Sequence, residues 1–340
     1  MEQPAKKLFL LDAYALIYRA HFAFTKNPRI NSRGQNTSVA FGFTNTLLEV
    51  LQKQKPTHIA VAFDTSAPTF RDEIFKEYKA TRQEVPEDIR YGLPKVKEII
   101  RGFNIPVIEL DGYEADDIIG TIANKACMQG FEVYMMTPDK DFGQLVNECV
   151  FLYKPAYMGN AVDIMGVKEV CEKWDIESVA QVTDILGFQG DASDNIPGIP
   201  GIGPKTAAAL IKQFGSVENA VARASELKGK QKELLEKYGD QAILSKKLAT
   251  IHIDVPVEFS EEKLRYTGPD AEVLKPIFDE LEFKSIAARV FSDTESSPVR
   301  QPKASQLSMF DAAAESEVFF LAVALIGKGD AHTIVQEREL

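Results

Sequence analysis

The sequence has few cysteines and no long apolar run. Its three cysteines, Cys127, Cys149 and Cys171, form no CxxC pair and no cysteine–histidine set at zinc spacing. This usage predicts a reducing compartment, without disulfides and without a zinc site. The longest apolar run, from Val318 to Ile326, is far shorter than the roughly 20 residues that a membrane helix needs. We therefore expect no membrane association.

Positive charge is also scarce, since 39 Lys and Arg face 50 Asp and Glu and leave a net charge of -11. Taken alone, this balance disfavours a nucleic-acid binder, because such proteins are usually basic. The sum says nothing about layout, however, and acids gathered around metal ions are compatible with phosphate binding elsewhere. A length of 340 residues with 45% hydrophobic and 26% charged residues is ordinary for a globular protein of about two domains.

Short apolar runs alternate with amphipathic segments over the first two-thirds of the chain. This alternation predicts an α/β fold with a mostly parallel central sheet flanked by helices. The predicted strands are Lys7–Asp12, His58–Asp64, Asn104–Leu110, Phe131–Thr137 and Cys149–Tyr153. The predicted helices are Ser38–Lys53, Leu93–Gly102, Tyr113–Gln129 and Lys140–Val146. From about residue 191 to residue 291, helical patterns with Gly and Pro turns predict a helical second region.

Acidic side chains follow the predicted strands and recur where the helical region begins. In a parallel α/β sheet this is the edge at which ligands bind. The acids are Asp12, Asp64, Glu114, Asp116, Asp117, Asp139, Asp141, Asp191 and Asp194. Each alone is as readily a helix cap, a turn residue or a favourable charge at a helix N-terminus. Together they would repel one another unless a hard cation such as Mg²⁺ were bound. Two such ions suit displacement at phosphorus, although metal-dependent phosphatases also carry a DxD sequence after a strand.

A glycine-rich segment, NIPGIPGIGPKTAAALIKQF from residue 195 to residue 214, contains no acid. Its glycines allow a tight turn and close approach of backbone N–H groups to a ligand. Pro204 suits the first turn of a helix, whose N-terminus favours a phosphate. The spacing differs from that of a Walker A loop. A plain helical hairpin is the alternative interpretation. The candidate phosphate-binding residues are Gly198, Gly201, Gly203, Lys205 and Thr206.

A basic and aromatic segment lies between the second and third predicted strands. Arg71, Tyr78 and Arg82 are spaced i, i+7 and i+11, so a helix would place them on one face, with Lys79 adjacent. Arg and Lys neutralise phosphate, and Tyr stacks on an unpaired base. Because acids are nearly as frequent as bases between Arg71 and Arg101, a solvated helix of mixed charge is the alternative.

These motifs as a set resemble the 5′-nuclease (flap endonuclease) family, most closely the N-terminal 5′→3′ exonuclease domain of bacterial DNA polymerase I. The resemblance covers about residues 5–290 and is carried, in order, by LLDAYALIYRAHFA, VAFD, TFRDEIFKEYKATR, GYEADD, TPDKD and GDASDNIPGIPGIGPKTA. It implies a PIN-like nuclease core at 1–184 with a helical arch at about 70–101. It also implies a DNA-binding helical region at 185–291 with a helix-three-turn-helix at about 185–215.

The resemblance also implies cofactors and residue roles. Two Mg²⁺ or Mn²⁺ ions would be held by the nine acids, and a K⁺ would lie at the glycine-rich turn, which grips the duplex. Arg71, Tyr78, Lys79 and Arg82 match the arch that admits the 5′ strand, with Lys79 and Arg82 adding charge at the reacting phosphate. Arg19 matches a basic residue near that phosphate. The implied activity is cleavage at 5′ ends, flaps and RNA primers in replication and repair, by a monomer in the bacterial cytoplasm at the nucleoid.

The chain departs from polymerase relatives after residue 291. Residues 292–316 are typical of a flexible linker, and residues 317–340 resemble the first strands of a proofreading-like domain but lack its DxE acid pair. No polymerase activity is therefore expected from this chain. Within the linker, QLSMF resembles a pentapeptide that docks on the bacterial sliding clamp, through Gln306, Leu307, Met309 and Phe310. The alternatives to a nuclease are a non-catalytic flap-binding module, an inactive fragment or a metal-dependent phosphomonoesterase.

Overall fold

The computed structural model describes residues 6–156 and 161–291. Within this part, the backbone contacts divide the chain into two compact units. The first unit comprises 6–69, 85–156, 161–170 and 251–291, and the second comprises 70–84 and 171–250. In this division, residues 251–291 belong to the first unit. The predicted boundary between a nuclease core at 1–184 and a helical region at 185–291 stays a prediction. No helix in the described ranges is long and apolar enough to cross a membrane.

The first unit is built on one six-stranded sheet. Its strands are β1 (Lys7–Asp12), β2 (His58–Ala62), β3 (Val107–Ile108), β4 (Glu132–Met136), β5 (Val150–Lys154) and β6 (Asp163–Met165). The strand order is β3-β2-β1-β4-β5-β6. All neighbouring pairs are parallel except β5 with β6, which is antiparallel. The predicted mostly parallel sheet is confirmed, because the buried β-branched and apolar runs form its central strands.

Helices connect the strands and form the second unit. They are α1 (Ala13–Phe24), α2 (Ser38–Glu49), α3 (Phe70–Ile74), α4 (Glu87–Gly102), α5 (Ala115–Cys127), α6 (Val167–Trp174), α7 (Val182–Gln189), α8 (Pro204–Phe214), α9 (Val217–Ala222), α10 (Gly229–Ala249), α11 (Glu261–Leu264), α12 (Ala271–Leu281) and α13 (Lys284–Phe291). A π-helical turn, Val50–Gln54, extends α2, and short 3₁₀ turns occur at Asp141–Leu145, Val179–Gln181 and Ala224–Glu226.

The core of the first unit lies between the sheet and its helices. Helix α5 packs on β1 and β4, whereas α2 packs against α1 and α4, and α12 against α4. Fully buried side chains such as Phe9, Phe43, Ile99 and Phe278 belong to this core. In the second unit, the long helix α10 packs against α7 and α9. Burial of these apolar side chains supplies the main driving force that fixes the strand edges and helix termini.

Three sequence-based expectations about local structure are wrong. Helix α3 ends at Ile74 and turns follow it, so no helix places Arg71 and Arg82 on one face. Strand β3 covers only Val107–Ile108, and the edge strand β6 was not predicted. Cys127 and Cys149 form a disulfide with Cα atoms 5.8 Å apart, contrary to the expectation of none.

Candidate active site

Asp12, Asp64 and Asp139 lie at one edge of the sheet because neighbouring parallel strands end there together. In the parallel register, Asp12 is opposite Ala62, and Leu11 is opposite Met136. Asp12 is the last residue of β1, while Asp64 and Asp139 follow the ends of β2 and β4 by a few residues. Three adjacent strands therefore each contribute a carboxylate to the same edge of the sheet.

Hydrogen bonds hold these carboxylates in place. The hydroxyl of Thr137 donates to Oδ2 of Asp12 at 2.9 Å and accepts the N–H of Asp139 at 3.1 Å. Oδ1 of Asp64 accepts the N–H of Ala115, the first residue of α5, at 2.9 Å. The N–H of Asp141 donates to Oδ1 of Asp139 at 2.9 Å. Thr137 was missed by the sequence analysis, although its position inside TPDKD was a usable signal.

The pKa of Asp12 reflects both its burial and the negative charge at this edge. Burial, the larger cause, and the nearby charges of Asp64 and Asp139 together raise this pKa from 3.8 to about 7. Hydrogen bonds from the Ala15 N–H and from Thr137 act against this rise. A carboxyl with this pKa is half protonated near neutrality, because burial and the neighbouring negative charges disfavour its ionised form.

The remaining acids of the first unit lie at the start of α5. Glu114 is the N-cap residue, and its side chain forms a capping box with Asp117. Asp117 is fully buried. Its two oxygens accept backbone N–H groups of Glu114 and His252, at 3.2 and 2.8 Å. Oδ1 of Asp116 accepts the N–H of Asp117 at 2.7 Å. This helix N-terminus stabilises the clustered negative charge.

The donor set fits a hard divalent cation in its chemistry. All seven ligand candidates of the first unit supply carboxylate oxygens, which Mg²⁺ prefers, and the raised pKa of Asp12 shows that positive charge would stabilise the ionised edge. The described residues do not, however, present a ready-made cluster of three or more ligating side chains. The metal-ligand roles of the individual acids stay predictions.

Arg19 projects from α1, the helix that follows Asp12. Its guanidinium donates to Oγ1 of Thr46 at 3.1 Å and to the carbonyl of Ala156. These contacts join α1 to α2 and to the chain after β5. The predicted role of Arg19 near a reacting phosphate stays a prediction.

In the second unit, the glycine-rich loop joins α7 to α8. Gly198 and Gly201 adopt φ values of 55° and 88°, as expected for glycine in the left-handed region. Gly203 is instead extended and is the N-cap residue of α8, with Pro204 in the first turn. A Cβ at Gly201 or Gly203 would meet nothing within 4 Å. The loop therefore leaves room for close approach to its backbone, with Lys205 and Thr206 in the first turn of α8.

Asp194 is bound by the basic segment within the second unit. Arg82 donates to its Oδ1 at 2.6 Å, and the Tyr78 hydroxyl donates to Oδ2 at 3.2 Å. The Lys79 ammonium lies 3.9 Å from Oδ2. Burial alone would raise the pKa of Asp194, but the charges of Lys79 and Arg82 and these hydrogen bonds outweigh it, so the pKa lies below its ordinary value. The N–H of Lys79, a residue with φ 55°, also donates to the Asp194 carbonyl at 2.9 Å.

Arg71 has a structural environment that the sequence did not indicate. It is 1% exposed, and its guanidinium donates to the carbonyls of Leu248 and Thr250 at 2.9 and 3.0 Å, at the end of α10. Its predicted contact with DNA stays a prediction. The clamp-binding residues Gln306, Leu307, Met309 and Phe310 lie outside the described residues.

Comparison with known proteins gives the class that this fold and acidic edge define. The model of a 5′-3′ exonuclease N-terminal resolvase-like domain matches residues 7–175, and that of a 5′-3′ exonuclease C-terminal SAM fold matches residues 177–272. A 5′-3′ exonuclease of Aquifex aeolicus is 37% identical over 285 residues, which cover 84% of this chain and 95% of that protein. The chain belongs to the 5′-3′ exonuclease family, and the sequence-based resemblance is confirmed.

Longer relatives match this chain over only one part of their own length. DNA polymerase I of Bacillus caldotenax is 43% identical over 289 residues, which cover 84% of this chain but 32% of the polymerase. The chain thus spans about a third of the length of these relatives. Among solved structures, T5 5′-exonuclease with bound zinc has a TM-score of 0.59 at 20% identity, covering 83% of this chain and 99% of that chain. The Rad2 catalytic core with DNA has a TM-score of 0.58 at 16% identity, covering 86% and 93%. These likenesses support the fold.

Proposed function

We propose that this chain is a divalent-metal-dependent 5′→3′ exonuclease and flap endonuclease. It would hydrolyse phosphodiesters at 5′ ends, flaps and RNA primers during DNA replication and repair, as the N-terminal part of a DNA polymerase I-like protein. The observation that carries the proposal is the row of carboxylates at the ends of β1, β2 and β4, in a member of this nuclease family. The T5 flap endonuclease neighbour was solved with DNA and metal ions and the Rad2 neighbour with DNA, which supports the same substrate and cofactor class.

We propose two Mg²⁺ or Mn²⁺ ions as the cofactor. The ligands within the first unit would come from Asp12, Asp64, Glu114, Asp116, Asp117, Asp139 and Asp141. Asp191 and Asp194 stay predicted ligands on the strength of the family resemblance. The chemistry that divalent ions supply at such a site is activation of a water and stabilisation of charge at phosphorus. The protein's own contribution is orientation, since Thr137 fixes the Asp12 carboxyl and the start of α5 fixes Asp64.

The second unit supplies groups suited to a nucleic-acid backbone. We propose that the loop from Gly198 to Gly203 and the N-terminus of α8 contact duplex phosphates without reading bases. A K⁺ at the carbonyl groups of this turn is part of the proposal. Lys79 and Arg82 would bind the phosphate of the 5′ strand, exchanging their contact with Asp194 for the substrate. The contact with Asp194 would keep the two cations oriented until the substrate binds.

The setting of the activity is also proposed. We infer a monomer that works in the bacterial cytoplasm at the nucleoid, with the sliding clamp as a partner through residues 306–310. A mixture of the chain with purified clamp, compared with a Leu307→Ala and Phe310→Ala double variant, tests the partnership by size-exclusion chromatography. If the wild-type protein and the double variant co-elute with the clamp to the same extent, the proposed partnership is contradicted.

The nuclease proposal is tested on a 5′-labelled double-flap DNA. Wild-type protein is expected to cleave it with Mg²⁺ or Mn²⁺ and to be inactive in EDTA. Asp139→Ala, which removes a carboxylate of the edge, is expected to lose at least about 100-fold in rate, the order of effect seen when catalytic charge stabilisation is lost. The matched control is Asp163→Asn, which alters an exposed acid of β6 and should cleave as wild type does.

Each outcome of this assay has a clear meaning. Flap binding without cleavage by the wild-type protein would contradict catalysis and favour a non-catalytic binding module. Cleavage that persists in EDTA, or that is unchanged by Asp139→Ala, would contradict the metal-dependent acidic edge. Release of phosphate from small esters in place of strand cleavage would indicate a phosphomonoesterase.

A further inference from the structure

The glycine-rich loop crosses itself at two glycines in the second unit. Gly190 and Gly198 have φ values of 70° and 55°, and a Cβ on either would overlap backbone atoms of the other's segment. The N–H groups of Asp191 and Ile196 each donate to the other's carbonyl, at 2.9 and 2.7 Å. The segment between these two glycines carries Asp191 and Asp194, and the segment after Gly198 carries Gly201 and Gly203.

Two side chains of α10 bind the peptide groups of Gly198. Its N–H donates to Oγ of Ser245 at 3.0 Å, and its carbonyl accepts the side-chain amide of Gln241 at 2.5 Å. Ser245 is fully buried, and its hydroxyl donates to the Gln241 carbonyl at 2.7 Å. The two residues are four apart, so they share one face of the helix. Both polar groups of Gly198 are therefore satisfied by one turn of α10.

We propose that Gln241 and Ser245 are positioning residues for the DNA-binding turn, an inference that rests on the nuclease function proposed above. They touch no proposed reacting atom. They act by fixing the Gly198 peptide, from which the chain continues to Gly201 and Gly203. The buried side chains of Ile199 and Ile202, 2% and 4% exposed, hold the same turn from its apolar side. These side-chain and backbone contacts hold the turn in a single conformation before DNA binds. Such preorganisation improves affinity.

The long helix α10 is itself held firmly against α7, so it is a rigid support. Gly187 of α7 lies so close to Ala242 and Lys246 that an added Cβ would crowd them. Lys246 also pairs with the buried Asp184 at 2.7 Å. Because the support is rigid, loss of a hydrogen bond to Gly198 is expected to loosen the turn rather than move the helix.

The test measures DNA affinity separately from chemistry. Ser245→Ala leaves the buried Gly198 N–H without its acceptor, whereas Ser245→Thr keeps an oxygen at that position. We expect Ser245→Ala to raise the Kd for nicked duplex DNA, measured by anisotropy in EDTA, about 10-fold, because binding must then order a turn that the wild-type protein holds in place. KM on the double flap should rise similarly, with kcat within about 2-fold of wild type, and Ser245→Thr should recover most of the affinity.

Thr250→Ala is the matched control, because the Thr250 hydroxyl donates to the Lys246 carbonyl four residues earlier without contacting Gly198. It should bind DNA as wild type does. If Ser245→Ala fails to fold by circular dichroism, Gln241→Met decides by the same two measurements. A folded variant with unchanged Kd and KM, or a loss in kcat alone, would overturn the positioning role. Failure of the wild-type protein to bind or cut DNA would instead overturn the proposed function.

Discussion

The buried carboxyl of Asp12 makes the stability of the metal-free protein depend on pH. The folded-state pKa is about 7, against 3.8 for the ordinary carboxyl. Between these values the folded protein holds a proton that the unfolded chain has lost, so the free energy of unfolding falls as the pH rises. A difference of about 3 pKa units corresponds to about 4 kcal/mol. Above about pH 7 this contribution is fully lost.

Asp12→Asn is the perturbation that isolates this contribution. Asparagine keeps an oxygen for the N–H of Ala15, the cap contact that Asp12 makes at 3.2 Å, but it never ionises. In EDTA at pH 8, we expect Asp12→Asn to be more stable than wild type by about 2–4 kcal/mol, and at pH 4 to be no more stable. Urea unfolding followed by circular dichroism at several pH values measures the difference.

Saturating Mg²⁺ supplies the second arm of this experiment. It is expected to stabilise wild type at pH 8 more than it stabilises Asp12→Asn, because only the ionised carboxyl gains from a nearby cation. Parallel pH profiles of the two metal-free proteins from pH 4 to pH 8 would refute a raised folded-state pKa for Asp12. A wild-type protein that gained stability relative to the variant over this range would refute it equally.

Three further perturbations test other parts of the structure. Arg82→Ala should cost about 0.5–1 kcal/mol at pH 7, because the arginine is half exposed. That cost should vanish as the pH falls through the lowered folded-state pKa of Asp194. Reduction of the Cys127–Cys149 disulfide, which spans 22 residues, should lower the free energy of unfolding by about 3 kcal/mol. Gly198→Ala should cost at least about 2 kcal/mol, since its φ of 55° disfavours a side chain and a Cβ would overlap backbone. Urea unfolding measures all three.

Each of these perturbations has its own control. Asp194→Asn should remove the effect of Arg82→Ala, and an undiminished effect would contradict the ion pair. Cys171→Ser should leave the response to reductant unchanged, because Cys171 is a free thiol. Gly201→Ala should cost less than Gly198→Ala, since its Cβ would meet open space. Equal costs would contradict the close crossing of backbones at Gly198.

The sheet and its acidic edge could be predicted because their signals are local. Apolar runs mark the central strands, and an acid such as Asp12 or Asp139 lies at the end of its strand or within a few residues of it. The edge strand β6 escaped prediction because it is three residues long and mostly exposed, so it has no apolar pattern. The proposed helix through Arg82 failed because Asp194, over a hundred residues away, binds the segment in a turn conformation.

Longer-range contacts explain the other gaps. Nothing near Arg71 in sequence shows that its guanidinium binds carbonyls of Leu248 and Thr250. Ser245 lies 47 residues from Gly198 within an ordinary helical pattern, so its role follows only from the folded chain. No disulfide was expected from the predicted compartment and the cysteine spacing. The Cys127–Cys149 pair depends instead on the approach of α5 to the start of β5 in the folded chain.

The position and chemistry of the cut in a double-flap DNA distinguish a flap endonuclease from other phosphate-ester hydrolases. A substrate labelled at the 5′ end and, in parallel, at the 3′ end of the flap strand is incubated with Mg²⁺, and the products are resolved at single-nucleotide length. We expect cleavage beside the flap junction that leaves a 5′ phosphate on the downstream product. Cuts spread evenly along the duplex, or loss of only a terminal phosphate, would contradict it.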